Sequence, residues 1–177
     1  VASADGVETS IHAIWFKYMH DAALGDEVGR AGRGRGAHTT IPAVLRMLEA
    51  PETLVATTAD GDSVVWDDLA TPDVLETRWD ILLRAWTLAL PKLDELFGDP
   101  DPDTWVWGKL HRKKMEFSLP TLGDAVNLDY TPEDGVPRGG DWSNIDVCNG
   151  GVSGFSFECG GGPVQRLVVQ MDPGTGP

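Results

Sequence analysis

The sequence predicts an α+β protein, helical up to about residue 98 and built of antiparallel strands beyond it. Three observations predict this. Upstream of Gly98, apolar residues recur at three- and four-residue steps. At "GDPDPDTW", Gly98 to Trp105, Pro100 and Pro102 stop helices. Beyond them glycine becomes frequent, and apolar residues alternate or run in short blocks. The texture thus divides into a helical region, 1–98, and a β-rich region, 99–177, read as two parts of one larger domain.

Residues 8–24, "ETSIHAIWFKYMHDAAL", carry Ile11, Ile14, Trp15, Tyr18 and Ala22 on one helical stripe. The stretch "GRAGRGRG", Gly29 to Gly36, suits neither helix nor strand and reads as a loop. A helix restarts in "TTIPAVLRMLEAP". Thr40 can cap it, Pro42 suits its first turn, Val44, Leu45 and Leu48 form its buried side, and Pro51 follows its end. Asp60-Gly61 marks a turn. The strongest helix is expected from a Thr71 cap, through Pro72 and Asp73, to Gly98. Its expected apolar face is Val74, Leu75, Trp79, Leu82, Leu83, Trp86, Leu90, Leu93 and Phe97, with a kink or division at Pro91. Strands are then expected in "TWVWGKLH", "KMEFSL", "NIDVC", "GFSFEC" and "QRLVVQMD".

Charge narrows the function. There are 14 basic and 28 acidic residues, a net charge of −14. Such a surface repels nucleic acid and anionic membranes, so neither is an expected partner. Arg30, Arg33 and Arg35 would suit an RNA-binding tail in a basic chain, but here they read as loop residues. No apolar run reaches the roughly 20 residues of a membrane helix, and the first residues do not read as a signal peptide. Val1 stands where an initiator Met would, which fits a processed chain or a piece of a longer one.

Candidate chemistry is sparse. Asp99, Asp101 and Asp103 alternate as in a calcium loop, but the prolines between them and Leu110 at the twelfth position favour a rigid acidic turn. His12, His20, His38 and His111 form no close metal-binding pattern, and no metal or cofactor is expected. Cys148 and Cys159 suit the arms of a hairpin, either bridged or as two buried thiols, and cannot make a four-ligand zinc site on their own. Ser153 lacks the surroundings of a nucleophile elbow, and Gly160 to Gly162 lead into Pro163 rather than a phosphate-binding helix.

The order of three motifs is more informative. A long helix ends in "LFGDP", and "TWVWGKLHRKKMEFSLP" follows, with Trp105, Trp107, Gly108, Leu110 and His111. Next comes "VPRGGDWSNIDVCNGG", with Pro137, Gly139, Gly140 and Asp141. Last comes "GPVQRLVVQMD", with Arg166, Val168, Val169 and Asp172. This set resembles the C-terminal part of the beta chain of the penicillin acylase (penicillin amidase) family. The resemblance implies a piece of a larger αββα N-terminal nucleophile hydrolase core. It implies hydrolysis of a linear amide, releasing the acyl side chain of a β-lactam, a homoserine lactone or a lipopeptide. It also implies a precursor that cuts itself, a serine whose own α-amine is the general base, and a periplasmic or secreted location.

The family's serine-asparagine-x-tryptophan start does not occur here, so no catalytic residue is expected in this chain. The expected role is scaffold, with His111, Asp141 and Asn144 as candidates for supporting the site from behind. The expected partners are the remaining chain or chains of the processed enzyme and a small-molecule amide substrate. On this reading the strip is a strand, with Trp105 and Trp107 facing inward against Trp79, Leu83 and Trp86, and His111 leaving the core. The rival reading is a small secreted module that binds carbohydrate or peptide through exposed tryptophans.

Overall fold

The computed structural model describes residues 3–24, 37–50, 64–67, 71, 73–114, 134–140, 148 and 155–159. The described residues are mostly helical, with one small antiparallel sheet. In order they form α1 (Val7–Leu24), α2 (Ala37–Glu49), a 3₁₀ turn (Val64–Trp66), α3 (Arg78–Phe97), a second 3₁₀ turn (Pro102–Thr104), and the single helical turn α4 (Trp107–Leu110). Strands β1 (Arg112–Lys113) and β2 (Val136–Pro137) complete them.

The central contact is α1 lying along α3. Two apolar clusters share this pair. One joins Phe16, Met19 and Ala23 of α1 with Val44 and Met47 of α2, Trp66, and Ile81 and Ala85 of α3. The other joins Ala13 and Ile14 with Ala89 and Leu93, and adds Trp105, Trp107 and Phe157. The second cluster therefore draws on residues from both sides of position 99. Trp15 also donates its indole N–H to the Leu82 carbonyl at 3.3 Å, tying α1 to α3.

Helix α3 begins later than Thr71. Thr77 is its cap: the Thr77 hydroxyl accepts from the Asp80 N–H, and the Asp80 carboxylate accepts from the Thr77 N–H. Thr71 instead donates its hydroxyl to the Glu76 carboxylate at 2.8 Å, inside the approach to the helix. Gly98 ends the helix with φ +67°, a left-handed value that favours glycine, and its N–H donates to the Asp94 carbonyl. Pro91 does not divide α3. It and Thr87, whose carbonyl loses a helical partner, lie on the exposed side, where solvent can satisfy that oxygen.

The buried face of α3 also differs from the expected one. Ile81, Ala85, Ala89 and Leu93 are buried, at strict four-residue steps. Of the predicted face, Val74, Leu75, Trp79, Leu83, Trp86 and Leu90 are exposed. Small alanines on both α1 and α3 let the two backbones approach, and this selects the narrower face. Helix α2 likewise starts at Ala37, upstream of Thr40, and buries Val44 and Met47 while leaving Leu45 exposed.

The strip is not a strand. Trp105 and Val106 connect a 3₁₀ turn to α4, and pairing begins only at Arg112. Arg112 pairs with Pro137 and Lys113 with Val136, antiparallel. Phe155–Cys159 has no regular secondary structure, although Phe157 and Cys159 are buried while Ser156 and Glu158 are exposed. "KMEFSL" and "NIDVC" fall mostly, and "QRLVVQMD" wholly, outside the described residues.

Candidate functional site

The strip turns helical because its partners are turns rather than strands. Trp107 donates its N–H to the Gly6 carbonyl at 3.2 Å, and Gly108 to the Ala4 carbonyl at 2.7 Å. Gly108 is required there: a Cβ at this position would lie 2.8 Å from the Pro137 Cβ and 2.9 Å from the Ala4 carbonyl oxygen. The His111 N–H closes the turn on the Trp107 carbonyl at 2.9 Å. One helical turn therefore separates Trp107 from His111 and stacks their rings, with centroids 4.9 Å apart and planes inclined by 18°.

Two of the three sequence motifs meet here. The Trp107 indole N–H donates to the Gly140 carbonyl at 3.0 Å, across 33 residues. The Arg138 N–H donates to the His111 carbonyl at 2.9 Å. Arg112 spreads its guanidinium over three backbone carbonyls, those of Asp134 (2.8 Å), Gly135 (2.9 Å) and Gly108 (3.2 Å). Arg112, the first of the cations that close the strip, thus clamps its own turn onto the 134–140 segment. Beside them, Lys109, Leu110, Arg112, Lys114, Asp134 and Glu158 line an open cleft of about 430 Å³.

His111 is the one predicted site residue whose surroundings the structure describes, and its position corrects the expectation. It does not leave the core: it is 1% exposed. The helical turn carries its ring back over Trp107. Its Nδ1 lies 2.6 Å from the Phe157 carbonyl. A carbonyl only accepts, so Nδ1 is the protonated donor of this contact. Phe157 also meets Trp107 edge-on, at 5.5 Å and 64°. Cys148 and Cys159 are joined in a disulfide, Cα atoms 5.2 Å apart, and the Cys159 N–H donates to the Arg112 carbonyl at 2.9 Å. Donor atoms of His111, Cys148 and Cys159 all lie within 4.8 Å of one another.

This convergence was missed from sequence. His111 and Cys159 are far apart in the chain, and the only hint was the alternation that puts Phe157 and Cys159 on one side. Asp141, Asn144 and Ser153 lie outside the described residues. The acidic turn uses its carboxylates locally: Asp99 accepts from the Asp101 N–H at 2.9 Å and Asp101 from the Asp103 N–H at 3.1 Å.

Chemically, the arrangement is a frame. Its tryptophans are sealed at 5% exposure for Trp105 and 1% for Trp107, and its histidine is out of contact with solvent. The family model for penicillin amidase matches residues 1–176, a span that includes every segment this frame joins. The chain belongs to the penicillin amidase family. The penicillin amidase family is a family of amide hydrolases, made as processed multi-chain enzymes. Comparison with curated proteins and with solved structures returns no match. Within this penicillin amidase chain, Trp105 and Trp107 belong to the cluster that holds Ala89 and Leu93 of α3, and Trp79, Leu83 and Trp86 lie outside it.

Proposed function

We propose that this chain is the scaffold portion of a penicillin amidase that cleaves a linear amide, with the nucleophilic serine carried on another segment. The observation that carries this reading is the burial of the Trp107–His111 stack, bonded at both ends to the Gly140 and Phe157 carbonyls. A frame joining separate motifs needs such sealed contacts. A carbohydrate- or peptide-binding strip would need its tryptophans exposed.

The substrate class is an acyl amide: a β-lactam side chain, an acyl-homoserine lactone or a lipopeptide. The N-terminal nucleophile hydrolase core and a periplasmic or secreted location belong to the same reading. The Cys148–Cys159 bridge supports that location, because oxidising compartments preserve such bonds. The partner is the remaining part of the enzyme. It would cover the exposed stripe Trp79, Leu83, Trp86 and Leu90 of α3, large apolar side chains that a complete enzyme has reason to bury.

Co-expression tests this. The chain alone should hydrolyse none of these amides, and adding the serine-bearing segment of the same enzyme should restore turnover. Turnover by the purified 177-residue chain, lost on mutating His111 or Ser153, would instead place the catalytic group within it.

A further inference from the structure

We infer that His111, Cys148 and Cys159 form a redox-gated metal site: a disulfide in the oxidising compartment proposed above and, in the reduced chain before it reaches that compartment, a three-ligand site for a thiophilic divalent ion such as Zn²⁺. The donor set is one imidazole nitrogen and two sulfurs, all within 4.8 Å of one another. Tetrahedral zinc with Zn–S of about 2.3 Å and Zn–N of about 2.0–2.1 Å separates its donors by roughly 3.5–3.8 Å, so rotation of the two cysteine side chains spans the difference. All three residues are buried: His111 at 1%, Cys148 at 3% and Cys159 at 4% exposure.

The surroundings favour a ligand histidine. Nδ1 donates to the Phe157 carbonyl at 2.6 Å, the outer partner that metal-bound imidazoles use to fix the tautomer and raise the basicity of the other nitrogen. Trp107 stacks on the ring and holds its plane. The Cys159 backbone is pinned to Arg112, next in sequence to His111. Two sulfurs and an imidazole select a soft or borderline ion over Ca²⁺ or Mg²⁺. Two thiolates also neutralise a divalent ion, so the loaded site carries no net charge into the core.

The chemistry balances. Two equivalents of a thiol reductant (or one phosphine with water) supply two electrons and two protons, converting the disulfide to two thiols. The divalent ion then displaces both thiol protons and takes the lone pair of Nε2. A fourth coordination position remains for water.

The test uses the full chain, reduced with a phosphine under inert gas, freed of reductant and titrated with Co²⁺ alone. We expect one Co²⁺ per chain, a thiolate-to-metal charge-transfer band, and displacement by Zn²⁺. Losing an outer partner of a metal ligand costs about 10–100-fold in affinity, so losing a ligand, as in Cys148→Ser or His111→Gln, should cost at least about 100-fold. Because His111→Gln removes a buried ring and can unfold the chain, ¹⁵N spectra of the wild-type imidazole provide the second readout: Nε2 should shift on Zn²⁺ addition. Four outcomes overturn the site: a bridge that resists reduction in the folded chain, unfolding on reduction, no thiolate band at stoichiometric Co²⁺, or an unmoved Nε2 resonance.

Discussion

Trp107 and His111 sit one helical turn apart with their rings stacked, 4.9 Å between centroids, and each is 1% exposed. The stack is closed at both ends by long-range bonds, from Trp107 to Gly140 and between His111 and Phe157. A single turn of four residues therefore holds three distant segments together: 3–6, 134–140 and 155–159. This makes the strip a joint, and joints fail when their central side chain is removed.

Trp107→Ala should destabilise the chain by about 3–5 kcal/mol, the usual cost of emptying a large aromatic site. Trp79→Ala, on the exposed side of α3 at 67% exposure, should stay within about 0.5 kcal/mol of the parent. Urea unfolding of the two variants side by side measures this. Equal stabilities would refute the joint.

Gly108→Ala should destabilise by about 1–3 kcal/mol, the range for overpacking, because the new methyl meets Pro137 and the backbone oxygen of Ala4. The backbone contact leaves little to relax. A shift of the unfolding midpoint at unchanged slope is the expected signature; an unshifted midpoint would mean that the Ala4 segment does not pack here.

Thr77→Ala should cost about 1 kcal/mol, since it removes the cap of α3 and half of its capping box. Thermal unfolding resolves a change of that size. The same loss from Thr71→Ala, with none from Thr77→Ala, would return the helix start to Thr71.

Much of this was legible. "TRWD", Thr77 to Asp80, already spells a capping box, and a search for a threonine followed three residues later by an acid finds it. Thr71-Pro72-Asp73, six residues upstream, spells a competing helix start. Gly98 as the end of α3 was readable, since it needs only local backbone rules, whereas the crowding at Gly108 comes from Ala4 and Pro137, far away in the chain. The buried face of α3 was misread because Trp79, Leu83 and Trp86 outweigh Ala85 and Ala89 on any hydrophobicity scale. Packing between two helices rewards small residues at the contact, and that preference belongs to the pair. His111 was unreadable for a similar reason: its burial depends on Phe157, and nothing local encodes a contact across 46 residues.

Acid should weaken one surface link. The Asp21 carboxyl is held below its ordinary range: burial raises it, but the His20 imidazole 3.6 Å away and the hydrogen bond and charge of Lys17 together outweigh burial. A folded value below the unfolded one gives stability that is fully present above the unfolded value, about 4, and lost as pH falls through the folded value. Asp21 is 45% exposed on its side chain, so solvent screening keeps the effect under about 1 kcal/mol. The stability gap between the parent and Asp21→Asn should therefore narrow as pH drops from about 6 to about 3. A gap that widens toward acid would contradict the depressed carboxyl.

The last prediction concerns the face that α3 leaves open. Trp79, Leu83, Trp86 and Leu90 follow steps of four, three and four residues, and they are 67%, 66%, 41% and 39% exposed. At 1.5 Å per residue they run about 16 Å along one side of the helix. Large apolar side chains aligned this way are costly in water and are normally covered, and the proposed cover is the rest of the penicillin amidase. The isolated chain should then self-associate, with apparent mass rising with concentration in analytical ultracentrifugation. Leu83→Glu with Trp86→Glu should abolish that association. The double variant should unfold at nearly the same urea concentration as the parent, because neither side chain belongs to the buried clusters. It should also fail to assemble with the serine-bearing segment. A parent that stays monomeric at high concentration, or a double variant that assembles and turns over amide normally, would show that this face is solvent-facing in the working enzyme.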